Sequence, residues 1–97
     1  MVIISKSTLK IFGEKHKDSI DSINHWYEIV KGENWSSFSE VKNTFNSVDY
    51  VGNDRYVFNI KGNKYRLVAL IFFDRRTLFI RFIGKHSDYD RIDCSKI

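Results

Sequence analysis

Arg66, Arg81, His86 and Tyr89 fall close together in the second half of the chain, and their types suit chemistry at a phosphate. A guanidinium offers a planar fork of donors that matches phosphate oxygens, which a lysine ammonium does not. Histidine, whose ordinary pKa is near neutrality, is the natural proton carrier. The segment Gly84-Lys85-His86-Ser87-Asp88-Tyr89-Asp90 sets the imidazole and the phenol three residues apart, on one side of a helical turn. Chain order puts this turn at the end of the segment that bears Arg81. Such a set suits transesterification of RNA. The ribose 2′-hydroxyl attacks its own 3′-phosphate once a base takes its proton, an acid protonates the departing 5′-oxygen, and cations hold the added negative charge. RNA supplies the nucleophile, so this chemistry needs no metal. Loss of one charge stabiliser typically costs about 3–4 kcal/mol, roughly a hundredfold to a thousandfold in rate.

These residues must be positioned by β-structure. From Tyr50 onward the segments Tyr56-Val57-Phe58-Asn59-Ile60, Lys64 to Phe73 and Leu78 to Ile83 are rich in β-branched and aromatic residues. Gly62-Asn63 signals a tight hairpin turn between the first two. With a two-residue loop there, Asn59 stands opposite Arg66 and both point to one face, while Phe58 and Leu67 point to the other. The next turn, around Asp74-Arg75-Arg76, decides where Arg81 goes. An even number of turn residues, for example Asp74-Arg75 alone, keeps Arg81 beside Arg66; an odd number sends it beneath the helices. A buried, unpaired guanidinium is costly, so the even turn is expected. The result is a face carrying Asn59, Arg66 and Arg81, bordered by Lys61 and Lys64.

The first half reads as helical. Val2-Ile3-Ile4 is a short strand, and Ser5 is placed to cap a helix through about His16. A second helix begins near Asp18, with Ile20, Ile23, Tyr27 and Val30 as its buried stripe and Gly32 as its stop. Ser37-Phe38-Ser39-Glu40 has capping-box spacing and opens a third, short helix ending near Phe45. The expected fold class is α+β: a short N-terminal strand, and two or three helices packed on one face of an antiparallel four-stranded sheet.

Ninety-seven residues suit a single domain, residues 1–97. With 42% hydrophobic and 29% charged residues, the composition is that of an ordered, soluble chain. The longest apolar run, Leu67 to Phe73, is too short to span a bilayer, and the N-terminus lacks the pattern of an export signal. One cysteine, Cys94, cannot form an internal disulfide; a reducing cytoplasm is expected. Three scattered histidines give no metal spacing, so no metal or other cofactor is expected. His25 falls off the buried stripe and His16 sits at a helix end. Trp26 and Trp35 read as packing residues. Phe72 and Phe73, which close the apolar run, should be core or should face a protein partner.

Charge is unevenly divided. Residues 1–48 carry six lysines and six acids, whereas residues 49–97 carry ten Lys and Arg against six Asp, and so hold the whole net +4, including every arginine. A cationic half suggests a polyanionic partner. Arg75 and Arg76, in a turn, are candidate RNA contacts, although solvation alone would account for them.

The stretch Gly52-Asn53-Asp54-Arg55-Tyr56-Val57-Phe58-Asn59-Ile60-Lys61-Gly62-Asn63-Lys64-Tyr65-Arg66-Leu67-Val68 resembles the signature of HigB toxins in the RelE-like superfamily. Ile80-Arg81-Phe82-Ile83-Gly84-Lys85-His86-Ser87-Asp88-Tyr89-Asp90 is similar to the second signature of that family, and Ile3-Ile4-Ser5-Lys6 and Trp26-Tyr27 are also family-like. The resemblance implies a RelE-like fold, cleavage of mRNA, often on the translating ribosome, and neutralisation by a HigA-type helix-turn-helix antitoxin. It implies that Arg66 and Arg81 hold the scissile phosphate with help from Lys61 and Lys64. His86 and Tyr89 would transfer protons or stack on a base. Lys85 stands where the family usually has threonine, adding a cation beside the site, and Asp88 stands where it often has glutamate.

Two other functions fit the same residues. A non-catalytic module could block translation by occupying RNA or the ribosome, which needs the basic face but not His86. A structural partner of a DNA-binding antitoxin would show no toxicity alone.

Overall fold

A computed structural model describes all 97 residues. The hairpin at the centre of the sheet forms as its sequence predicts. β3 (Arg55–Ile60) pairs antiparallel with β4 (Tyr65–Phe72), Phe58 opposite Leu67 and Asn59 opposite Arg66. Gly62-Asn63 occupies the turn, closed by the Lys64 N–H donating to the Lys61 carbonyl at 3.2 Å. β4 continues antiparallel into β5 (Thr77–Lys85).

The sheet has five strands, in the order β1-β5-β4-β3-β2, where four antiparallel strands were expected. β1 (Val2–Ile4) adds to the edge of β5 in parallel, with Ile3 opposite Leu78. β2 (Asp49–Gly52) pairs antiparallel with β3 across an irregular register. Its short sequence has no alternation to announce it, and its extended form comes from the ladder it makes with β3.

Three helices cover one face: α1 (Lys6–Lys15), α2 (Ile20–Gly32) and α3 (Phe38–Thr44). A 3₁₀ turn at Lys17–Ser19 joins α1 to α2. The buried stripe of α2 is Ile23, Trp26 and Val30, so Trp26 takes the central position and Ile20 is left exposed at the margin. Trp26 meets Phe58 edge-to-face at 5.3 Å between ring centres. Trp35 is buried, its indole N–H donating to Thr44 Oγ1 at 3.1 Å. These side chains belong to one core of 17 buried residues, with Phe73 packed against it. Phe72 lies on the opposite face, edge-to-face with Phe79.

Two expected caps form differently. Ser5 is left-handed (φ 74°) and its hydroxyl caps nothing; its carbonyl instead accepts the Thr8 N–H at 3.0 Å. Ser37 is extended, but Glu40 is engaged by Ser36 rather than by Ser37. No helix is long and apolar enough to cross a membrane.

The second face of the sheet is not bare. Val57 and Val68, opposite each other, are buried yet lie outside the helix-side core. After β5 a single turn, α4 (His86–Tyr89), leads into a segment that returns across this face. Arg55 Nε and Nη2 donate to the Ile97 carbonyl at 3.0 and 2.7 Å, and Asn53 Nδ2 donates to the Ser95 carbonyl at 3.1 Å.

Candidate active site

β4 and β5 carry the arginines, and a bulge between them sets the geometry. The turn Phe73–Arg76 contains four residues, so Phe72 faces Thr77. It is longer than the two-residue loop expected, but even. By alternation from Phe79, opposite Leu70, Arg81 leaves the sheet on the face of Arg66. Arg81 is then the extra residue of a β-bulge: Ala69 faces Ile80, whereas Val68 faces Phe82. The bulge changes the phase of the rest of β5. Ile83 enters the core opposite Leu67, and Gly84 comes opposite Arg66. Arg81 is exposed, and its guanidinium has no acceptor in the chain.

Arg66 Nη2 approaches His86 Nε2 at 2.9 Å, and His86 Nδ1 lies 3.2 Å from Asp90 Oδ2. A guanidinium only donates. Nε2 therefore accepts, and the proton of a neutral ring sits on Nδ1, facing the carboxylate. The Arg66 guanidinium also stands over the Tyr89 ring, 5.5 Å from its centre. Tyr89 Oη contacts Cys94 Sγ at 3.5 Å. Burial, and then the Cys94 contact, push the Tyr89 phenol up to about 12, so it keeps its proton near neutral pH.

Across the β3–β4 ladder, Asn59 Oδ1 and Arg66 Nε are both buried and both unpartnered, one an acceptor and one a donor. Such atoms are rare in folded chains. Here one of them belongs to the guanidinium that meets His86, and the other to the residue paired with Arg66 across the ladder.

A sequence model of the HigB_toxin family, described as a RelE-like toxic component of a toxin–antitoxin system, matches residues 19–92. The chain belongs to this family. It is 33% identical over 96 residues to the mRNA interferase toxin HigB of Escherichia coli strain K12, covering 93% of this chain and 88% of that one. It is 28% identical over 94 residues to the mRNA interferase HigB of Escherichia coli O6:H1, covering 95% and 91%. An mRNA interferase HigB of Shigella flexneri is 33% identical over 96 residues, with 93% and 88% covered.

In this HigB-family chain the other candidates are spread more widely. Lys61 and Lys64, at the hairpin tip, turn to Asp18 in the helical layer. Lys61 Nζ donates to the Asp18 carbonyl at 3.0 Å and lies 3.5 Å from its carboxylate, and Lys64 Nζ hydrogen-bonds that carboxylate directly. Tyr65 Oη donates to the same carboxylate at 2.7 Å. These bonds hold the Asp18 carboxyl well below the usual carboxylate range and raise Lys64 and Tyr65. Lys85 is exposed and faces Tyr65 across the ladder, which by alternation directs it toward the helix side.

Arg75 and Arg76 stand at the far end of β4, roughly 20 Å from Arg66 at about 3.3 Å per residue. Arg75 lies over the Phe72 ring at 5.2 Å. Arg76 is left-handed (φ 50°), and its Nη1 donates to the carbonyls of Trp35 and Phe73 at 2.9 and 2.8 Å. Its guanidinium ties the β4–β5 turn to the loop after α2.

Sequence reasoning missed Asp90, Gly84, Phe82 and Asp18. Asp90 had a signal, because it lies four residues after His86, one turn along a helix. The partnerships of the other three follow from register and tertiary contact.

Proposed function

We propose that this toxin of a toxin–antitoxin pair is an endoribonuclease that cuts mRNA by attack of the 2′-hydroxyl on the adjacent phosphate, without a metal ion. The observation that carries this reading is the 2.9 Å contact between Arg66 and His86, on the face that also bears the unengaged Arg81. The names of the relatives, mRNA interferase HigB, agree with it.

The Arg66–His86 contact supports the following order of steps. A phosphate draws the forks of Arg66 and Arg81, and Arg66 turns its Nη2 from the imidazole to the phosphate oxygen. His86 Nε2, now free, accepts the proton of the 2′-hydroxyl as its oxygen bonds to phosphorus. Tyr89 gives its phenolic proton to the departing 5′-oxygen. The products are a 2′,3′-cyclic phosphate and a 5′-hydroxyl. Asn59, paired with Arg66 across the ladder and carrying a buried, unpartnered Oδ1, offers a further acceptor on the neighbouring strand. The ribosome is the expected place of cleavage, a HigA-type helix-turn-helix protein the expected antitoxin, and the cytoplasm the expected compartment.

Primer extension on RNA from cells that express the chain, alongside a cleavage assay with purified protein, tests this reading. New 5′ ends are expected with the native chain and absent with Arg81→Ala. Absence of new ends with the native chain, together with arrest of growth, favours translation block by occupancy. Full cleavage by Arg81→Ala defeats the site.

A further inference from the structure

We propose that Asp90 is a positioning residue for this reaction, acting through His86; the proposal rests on the nuclease reading above. An imidazole usable as a base at a phosphate must present a lone pair there, and a neutral ring has one lone pair and one N–H. Which nitrogen carries the proton is set by the bond that the other makes. Here Nε2 faces the Arg66 guanidinium at 2.9 Å and Nδ1 faces the Asp90 carboxylate at 3.2 Å. The carboxylate accepts the Nδ1 proton and leaves Nε2 bare on the phosphate side. It also fixes the direction of the ring.

The spacing explains how one short turn supplies both groups. His86 opens α4 and Asp90 follows it by four residues, with the Asp90 N–H donating to the His86 carbonyl at 3.0 Å. Main chain and side chain thus hold the pair twice. Both side chains are exposed, 50% for His86 and 61% for Asp90, so the pair is open to solvent and free of a packing role. Its loss should change the ring and leave the core intact.

The arrangement also explains the resting state. With no RNA bound, Arg66 occupies Nε2, and Asp90 balances the guanidinium across the ring. When phosphate withdraws Arg66, Asp90 remains as the carboxylate that stabilises the imidazolium formed by proton transfer. Asp90 touches neither substrate nor reacting atoms. It acts through the ring alone.

The test combines three variants, Asp90→Ala, Asp90→Glu and His86→Ala, with two measurements. Long-range nitrogen–proton NMR on the native chain should show His86 with its proton on Nδ1, and Asp90→Ala should move a measurable fraction to Nε2. Steady-state cleavage of a short RNA should show kcat reduced about tenfold to a hundredfold in Asp90→Ala, with KM changed less than threefold and the melting temperature unchanged. Asp90→Glu should restore part of the rate. A native-like kcat in Asp90→Ala, or a fall confined to KM, overturns the proposal. If His86→Ala is impaired while Asp90→Ala is not, the site reading stands and only the Asp90 role falls. If the native chain cleaves no RNA, the nuclease reading falls and this role goes with it.

Discussion

Gly84 lies directly across the β4–β5 ladder from Arg66, beneath the ring of Phe82. A Cβ on Gly84 would sit 2.6 Å from Phe82 Cζ, closer than any real contact allows. The ring would have to move, on the strand that brings Arg81 and α4 to the site. Gly84→Ala is therefore expected to destabilise the fold by about 1–3 kcal/mol, the usual cost of overpacking, and to lower cleavage. Adding Phe82→Leu should recover most of the melting temperature. Thermal unfolding of the single and double variants checks this; equal melting temperatures for Gly84→Ala and the native chain would show that the ring moves freely.

Arg76 separates structural arginines from those at the site. Its Nη1 holds two carbonyls, those of Trp35 and Phe73. Arg76→Ala should lower stability by about 1–3 kcal/mol, because two part-buried acceptors lose a charged donor. The folded fraction should cleave RNA at the native rate. Urea unfolding and a cleavage assay at low temperature measure the two quantities separately. A variant with native stability and impaired cleavage would return Arg76 to the RNA surface.

Asp18 makes stability depend on pH in one direction. Bonds from Lys64 and Tyr65, then the charges of Lys64 and Lys61, depress its pKa below the ordinary 3.8 in the folded chain. A depressed carboxyl stabilises the fold above its unfolded pKa, and that contribution fades as pH falls through the folded value. Asp18→Asn should melt below the native chain at pH 7, and the gap should narrow steadily below about pH 4. Melting curves from pH 2 to pH 7 test it. A gap that widens in acid would mean the two bonds and the lysine charges do not favour the charged form.

Asp18 also bears on the proposed role of Lys61 and Lys64. Any phosphate that recruits Lys61 or Lys64 must compete with its carboxylate. Asp18→Asn frees both ammonium groups, so RNA binding by this variant should depend more steeply on salt.

The two faces of the sheet show how far the primary sequence reaches. Alternation in Phe58-Asn59-Ile60 and Arg66-Leu67, with Gly62-Asn63 between, was enough to set Asn59 opposite Arg66, since a tight turn leaves little freedom of register. The spacing of His86 and Tyr89 was enough to place both rings on one turn. The motifs were enough to indicate the family. Trp26, by contrast, took the centre of the α2 stripe in place of Ile20 and Tyr27, packing edge-to-face on Phe58 of the sheet, a contact no spacing along the helix announces.

Local order thus determined the strands of the central hairpin, the helices, and the residue types at the site. Tertiary structure alone decided that Arg81 occupies a bulge, that Lys61 and Lys64 turn to Asp18, and that Arg76 serves the fold. It also brought the segment after α4 back over the second face of the sheet. The physical reason is range. Turn chemistry and side-chain period act over a few neighbouring residues, whereas a bulge, an ion pair between Asp18 and Lys61, 43 residues apart, and a carbonyl reached by a distant arginine exist only once the sheet has closed around its core.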